Sequence, residues 1–125
     1  MKKEKLLILI VDDNMNFVKR IIGLMEDLKN IGYINVATEY NEAAKFLDEE
    51  KPDLVLLDIN LPGKSGIELL RKIKESGHKC EVIMITNHAD DYYRRICSEL
   101  GAKHFLDKSI EFAMVPEIIG NIHLN

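Results

Sequence analysis

Five polar residues with side chains suited to binding cations and phosphate each follow a short apolar run. Asp12 and Asp13 follow LLILIV, Asp58 follows LVLL, Thr86 follows VIMI, and Lys108 comes just after the run HFL. If the apolar runs are buried parallel strands, their carboxyl ends meet at one edge of a sheet. We therefore expect the three carboxylates, the hydroxyl and the ammonium to lie close together.

Three clustered carboxylates repel one another, by about 4 kcal/mol per pair at 4 Å and an effective dielectric of 20. Lys108 supplies one compensating charge. A set of carboxylate oxygens, with a backbone carbonyl such as that of Asn60, suits a hard divalent cation, Mg²⁺ before Ca²⁺. The sequence therefore predicts a Mg²⁺ site formed by Asp12, Asp13 and Asp58.

A metal ion beside a carboxylate and a lysine is typical of phosphoryl transfer, in which positioning and charge neutralisation supply most of the catalysis. Asp58 is the best candidate nucleophile, because a carboxylate can form an aspartyl phosphate. Two carboxylates and a phosphoryl dianion carry about −4, which Mg²⁺ and Lys108 reduce to about −1. Thr86 is placed to donate its hydroxyl to a phosphoryl oxygen.

The elements that position these residues follow from the apolar pattern, since β-branched runs alternate with segments of helical period. The predicted strands are 6–11, 33–38, 54–57, 81–85 and 104–106. Because the runs are apolar without alternation, they indicate a parallel sheet covered on both faces, an α/β doubly wound fold. No linker interrupts the pattern, so residues 1–125 are predicted to form one domain.

Five helices are predicted between and after these strands. Apolar residues at helical spacing in the first helix are Phe17, Ile21, Leu24, Met25 and Leu28. The first helix is predicted to stop at Asn30-Ile31-Gly32, and Asn41 is the predicted N-cap of the second. Gly77 and Gly101 are the predicted stops of the third and fourth helices, and Pro116 places the start of the fifth near Met114.

Composition argues against several classes of function. With 21 acidic and 17 basic residues and a net charge of −4, the chain of 125 residues has no basic stripe for nucleic acid or anionic membranes. The apolar run near the start is too short and too soon followed by Asp12-Asp13 for a signal peptide, so we expect a cytoplasmic protein. Cys80 and Cys97 are predicted to be reduced core thiols, and the four histidines share no ligand spacing.

Four motifs together resemble the receiver domain of response regulators over the whole chain. They are VDDN at 11–14, LLDINLPGKSG at 56–66, MIT at 84–86 and HFLDKS at 104–109. The resemblance implies a flavodoxin-like, five-stranded sheet of order 2-1-3-4-5 with five helices. It also implies that Asp58 accepts phosphate from a sensor histidine kinase or a histidine phosphotransfer protein.

The same resemblance assigns the other site residues. Asp12 and Asp13 hold Mg²⁺ with Asp58 and the backbone carbonyl of Asn60, and Lys108 contacts the phosphoryl group. Thr86 and Phe105 form a switch pair that changes a protein-binding face. A chain ending at residue 125 has little room for an output domain, so we expect a stand-alone receiver that docks to another protein.

Two residues depart from the family pattern. Ser109 stands where the family usually has a proline, often after a cis peptide, which is costly before any other residue. Asn87 stands where the family favours a very small side chain, so we expect it to narrow access to the site.

Other interpretations of the same residues remain. Asp12 and Asp13 could instead cap the first helix, a role for which Asn14 competes. A phosphatase of the haloacid dehalogenase type also uses a strand-end Asp with Mg²⁺, but needs two aspartates one residue apart and a cap insertion. A receiver that acts without phosphorylation is the third possibility, against which the intact Asp58, Thr86 and Lys108 argue.

Overall fold

The computed structural model describes residues 5–122, which form a five-stranded parallel sheet in the order β2-β1-β3-β4-β5. The strands are β1 (Leu6–Val11), β2 (Ile31–Ala37), β3 (Leu54–Leu57), β4 (Glu81–Thr86) and β5 (His104–Asp107). The α/β doubly wound, flavodoxin-like fold and the predicted strand order are therefore confirmed.

Five α-helices connect and follow the strands. They are α1 (Met15–Leu24), α2 (Tyr40–Glu50), α3 (Gly66–Ser76), α4 (Asp91–Glu99) and α5 (Val115–Gly120), with a short 3₁₀ turn at Phe112–Met114. No helix within residues 5–122 is long and apolar enough to cross a membrane.

Two apolar layers cover the sheet, which explains why its central strands carry no polar alternation. Alternate residues of β1 and β3 point to opposite layers: Ile8 and Leu56 pack with α1 and α5, whereas Leu9 and Val55 pack with α2, α3 and α4. Every residue of β3 is buried. A strand buried on both faces leaves only its carboxyl end for polar chemistry.

The predicted strands β1 and β3 match the structure residue for residue, and β4 and β5 each extend one residue further. The start predicted for β2 at residue 33 is wrong. The strand begins at Ile31 and includes Gly32, a residue predicted to end the first helix. A glycine fits there because a Cβ would lie 2.9 Å from the Cβ of Lys5.

The end predicted for the first helix is also wrong. Helix α1 ends at Leu24, and Met25 and Leu28 lie in successive turns that still face the core. The apolar period therefore continues beyond the helix itself.

The N-cap predicted for α2 is wrong as well, because Glu39 takes the place of Asn41. Its carboxylate accepts hydrogen bonds from the backbone N–H groups of Asn41 and Glu42.

Several smaller predictions are confirmed. Gly77 and Gly101 follow α3 and α4 with positive φ angles of 70° and 96°, and α5 begins directly after Met114. Both cysteines are free thiols, but only Cys97 is in the core and Cys80 is half-buried; burial raises the pKa of each to about 11. His123 lies outside the described residues.

Candidate functional site

Three carboxylates and one ammonium meet at the carboxyl edge of the sheet, as predicted. Asp12 follows β1, Asp58 follows β3, and oxygens from Asp12, Asp13 and Asp58 lie within 4.8 Å of one another. Lys108 comes to them from the end of β5. We call these four residues the acidic site.

The acidic site is largely removed from water. Asp12, Asp58 and Lys108 are 1%, 5% and 7% exposed, while Asp13 is exposed and faces a cavity of about 470 Å³. With three negative charges and one positive charge, the site has a net charge of −2. Its charge and all-oxygen ligand set fit one divalent cation with affinity for oxygen.

Lys108 is held by three groups at once. Its Nζ lies 2.7 Å from Asp12 Oδ2 and 3.1 Å from Asp58 Oδ2, to which it donates a hydrogen bond. It also lies 4.5 Å from the ring centroid of Phe17 on α1, a cation–π distance. Burial alone would lower the pKa of Lys108, but the carboxylates of Asp12 and Asp58 outweigh it and raise that pKa.

Asp12 has the opposite balance. Burial raises its pKa, and the negative charge of Asp58 adds to that effect, while hydrogen bonds from Lys108 and the backbone of Asn14 oppose it. An acid whose charge is disfavoured in this way gains stabilisation from any further cation that approaches it.

Asn14, and neither aspartate, caps α1. Its side-chain oxygen accepts a hydrogen bond from the N–H of Phe17 at 3.2 Å, and its own N–H donates to Asp12 Oδ1 at 2.8 Å. The alternative in which Asp12 and Asp13 serve as caps is therefore wrong. Both carboxylates remain part of the acidic site.

The position of Asp58 depends on the start of α3. The N–H of Gly66 donates to the carbonyl of Ile59 at 2.7 Å, and the N–H of Asp58 donates to Val11 at 3.0 Å. A Cβ at Gly66 would overlap the carbonyl oxygen of Asp58, far inside van der Waals contact. Only glycine allows α3 to begin this close to the Asp58 backbone.

Asn60 and His88 meet across the mouth of the cavity. Asn60 Nδ2 lies 2.5 Å from His88 Nε2, a hydrogen-bond distance, and both residues are exposed. Asn87 also lines the cavity, and its effect on access to the site stays a prediction. The chain thus places two polar side chains over the acidic site.

Thr86 and Phe105, the predicted switch pair, lie on the side of the sheet that faces α4. Thr86 is completely buried, and its hydroxyl accepts a hydrogen bond from the N–H of His88 at 3.1 Å. Phe105 pairs with Met84 in the neighbouring strand and is half-buried against the layer that includes α4. Its switch role stays a prediction.

Three contacts at this edge were missed by the sequence analysis. Phe17 was interpreted only as a core residue, although its ring contacts Lys108. Arg94 of α4 contacts Phe105, and Ser109 donates two hydrogen bonds to Asp107, which lower the pKa of that carboxyl. No cis peptide bond occurs within residues 5–122, so Lys108 and Ser109 are joined in trans.

Comparison with known proteins identifies relatives of this fold and site. The family model of the response regulator receiver domain matches residues 8–119. A CheY-like receiver domain protein from Methanospirillum hungatei JF-1 is 26% identical, with a TM-score of 0.81 over 92% of this chain and 90% of that chain.

Two further solved structures are similar. The Mn²⁺-bound form of response regulator Rcp1 is 26% identical, with a TM-score of 0.84 over 96% of this chain and 99% of that chain. A two-component response regulator of the LuxR family from Aurantimonas sp. SI85-9A1 is 27% identical, with a TM-score of 0.83 over 92% of this chain and 82% of that chain.

Proposed function

Since this chain belongs to the response regulator receiver domain family, we propose that Asp58 is its phosphoacceptor. The observation that carries the proposal is the setting of Asp58: a buried carboxylate that follows a fully buried strand and contacts the Lys108 ammonium at 3.1 Å. Lys108 is then placed to contact both the nucleophile and the group that it receives.

The donor is a phosphohistidine of a sensor kinase or of a histidine phosphotransfer protein. An oxygen of Asp58 attacks phosphorus, the new O–P bond forms as the N–P bond breaks, and the histidine ring leaves. Lys108, which is itself buried and paired with Asp12, holds the attacking carboxylate in place. The chain catalyses its own phosphorylation and dephosphorylation and no other reaction.

Asp12, Asp13, Asp58 and the backbone carbonyl of Asn60 are the proposed Mg²⁺ ligands. When bound, Mg²⁺ would neutralise charge that develops on the phosphoryl oxygens. The net charge of −2 and the grouping of oxygens within 4.8 Å support this assignment. The related Rcp1 structure is of a Mn²⁺-bound form.

Phosphorylation is read out through Thr86 and Phe105. A dianion at Asp58 attracts the Thr86 hydroxyl, and the space left behind β4 allows the Phe105 ring to turn inward. Because phenylalanine has no hydroxyl, the signal on the surface beside α4 is a change of apolar shape. We place the protein in the cytoplasm, where the kinase domain that supplies the phosphoryl group acts.

Incubation with acetyl phosphate and Mg²⁺ tests the proposal. Intact mass should increase by one phosphate, and the increase should vanish with EDTA or in Asp58→Asn. Asp107→Asn is a matched control at the same edge of the sheet and should still be labelled. Labelling that persists in Asp58→Asn would contradict the assignment, and steady turnover of small phosphate esters would support the phosphatase alternative instead.

A further inference from the structure

Arg94 on α4 contacts the proposed switch residue in two ways. The centre of its guanidinium lies 4.8 Å from the ring centroid of Phe105, and its Nη1 donates a hydrogen bond to the Phe105 carbonyl at 3.1 Å. No other ring in residues 5–122 has two such contacts with one cationic side chain.

The contact is not a by-product of an ion pair. Within the described residues Arg94 has no carboxylate within 4.0 Å, although its charge does help to lower the pKa of Asp107. The side chain is exposed, so water offers the guanidinium an alternative to the ring. Its position over Phe105 therefore reflects attraction to the ring and to the carbonyl.

The backbone of Arg94 is held in place by α4. The N–H of Arg94 bonds to the carbonyl of Asp90, the residue that caps α4 through its contact with the N–H of Tyr93. Tyr93 packs edge-on against His88, whose N–H donates to Thr86. The start of α4 thus contacts Phe105 directly, through Arg94, and is linked to Thr86 only through His88.

We propose that Arg94 is a positioning residue that holds the Phe105 ring in its half-buried orientation beside α4 and so sets how readily the switch responds to phosphorylation. The inference rests on the proposed function, because it assumes that the ring turns inward when Asp58 carries a phosphoryl group. Turning inward ends the cation–π contact, so the contact is made in only one of two states. A contact of this kind shifts the equilibrium towards the state that contains it.

The expected effect follows from linkage. Removing Arg94 should favour the inward state and tighten the binding of beryllofluoride, a phosphoryl mimic, at Asp58 by the same factor. The factor is about two- to fivefold, the value of one cation–π contact at an exposed site. The rate of phosphorylation by acetyl phosphate should rise in the same direction.

Titration of Arg94→Ala with beryllofluoride and Mg²⁺, followed by NMR, measures this factor. Arg95→Ala is the matched control, because Arg95 is its exposed neighbour on α4 with no ring contact or ion pair among the described residues. Arg94→Ala should bind beryllofluoride more tightly than Arg95→Ala and the parent. Equal affinities in all three would overturn the inference while leaving the phosphoacceptor intact.

Arg94→Gln separates the ring contact from the hydrogen bond. A glutamine side chain can still donate to the Phe105 carbonyl but carries no charge for the ring. If Arg94 acts through its contact with the Phe105 ring, Arg94→Gln should bind beryllofluoride as Arg94→Ala does. If glutamine restores the parent affinity, the hydrogen bond to the Phe105 carbonyl is the contact that matters, and the ring contact is not. In a Phe105→Leu background, Arg94→Ala should have no further effect on affinity.

The two proposals fail in different ways. If the parent protein shows no beryllofluoride response, or if Asp58→Asn keeps one, the proposed function itself is wrong. If the parent responds and Asp58→Asn does not, but Arg94→Ala matches Arg95→Ala, only the role of Arg94 is wrong.

Discussion

The two sides of the cavity differ in how their side chains are held. On the sheet side, Asp12, Asp58 and Lys108 form a buried floor in which each side chain has at least two partners. On the other side the side chains are exposed: Asn60 and His88 contact each other at the mouth of the cavity, and Arg94, on α4 outside the cavity lining, contacts Phe105. We call these three exposed residues the rim.

This difference separates two requirements of a signalling domain. Chemistry needs reacting groups in fixed positions, which burial and multiple contacts supply. A readout needs an element with two arrangements of similar energy, and such elements come from regions with few buried contacts. The floor suits the first requirement and the rim suits the second.

Substitution of Gly66 should cause the largest loss of stability, because Gly66 lets α3 begin next to the Asp58 backbone and so supports the floor. In Gly66→Ala the new Cβ overlaps the Asp58 carbonyl oxygen, so either α3 or Asp58 must move. We expect the free energy of unfolding to fall by about 3 kcal/mol or more, measured by urea denaturation.

Gly23→Ala is the matched control for that substitution. Gly23 lies in α1, and a Cβ there would meet nothing within 4 Å. The free energy of unfolding should rise by about 0.5 to 1 kcal/mol, because alanine is the better helix former. A Gly66→Ala variant as stable as the parent would show that the floor does not depend on the start of α3.

The sequence predicted the sheet well for a physical reason that does not extend to helix ends. A strand buried on both faces must be apolar throughout, so β1 and β3 could be delimited to the residue. Met25 is 2% exposed although it follows the last residue of α1. Because turn residues can also face the core, periodicity alone does not mark where a helix stops.

Removal of divalent cations should have the next largest effect on the free energy of unfolding. Saturating Mg²⁺ should raise the free energy of unfolding, by about 2.7 kcal/mol at one hundred times the dissociation constant. Asp13→Asn should lose this gain, yet be at least as stable as the parent in EDTA, since one of three mutually repelling charges is gone.

Asp107→Asn again serves as a control, because Asp107 lies at the same edge but outside the acidic site. It should respond to Mg²⁺ as the parent does. An Mg²⁺ response that survives in Asp13→Asn would place the cation elsewhere and weaken the contrast between floor and rim.

The rim should affect the lifetime of the phosphorylated state more than its formation. Loss of the Asn60 and His88 contact in His88→Ala opens the cavity to water, so dephosphorylation should accelerate by about two- to tenfold, the equivalent of one hydrogen bond. Loss of phosphate is followed by mass after removal of the donor. Mg²⁺ affinity should stay nearly unchanged, and unchanged lifetimes in both Asn60→Ala and His88→Ala would contradict this role.

The acidic site could be predicted because parallel strands bring their ends together, whatever the length of chain between them. The rim contacts had no such signal. Asn60 and His88 are 28 residues apart, and Arg94 and Phe105 are 11 apart, in loops and elements whose relative positions depend on packing. The contact between Phe17 and Lys108 could not be predicted for a related reason, since the apolar position of Phe17 on α1 gives no indication that its ring reaches Lys108.

The central claim is that a charge placed on the floor is read out at the rim through Thr86. The direct test compares NMR shifts of the parent and of Thr86→Ala with and without beryllofluoride, with Asp58→Asn as the control that should not respond. In the parent, the largest changes should fall within residues 87–108, whereas Thr86→Ala should bind beryllofluoride and leave those residues unchanged. Largest changes on α1 (Met15–Leu24), or a Thr86→Ala response equal to that of the parent, would contradict the account.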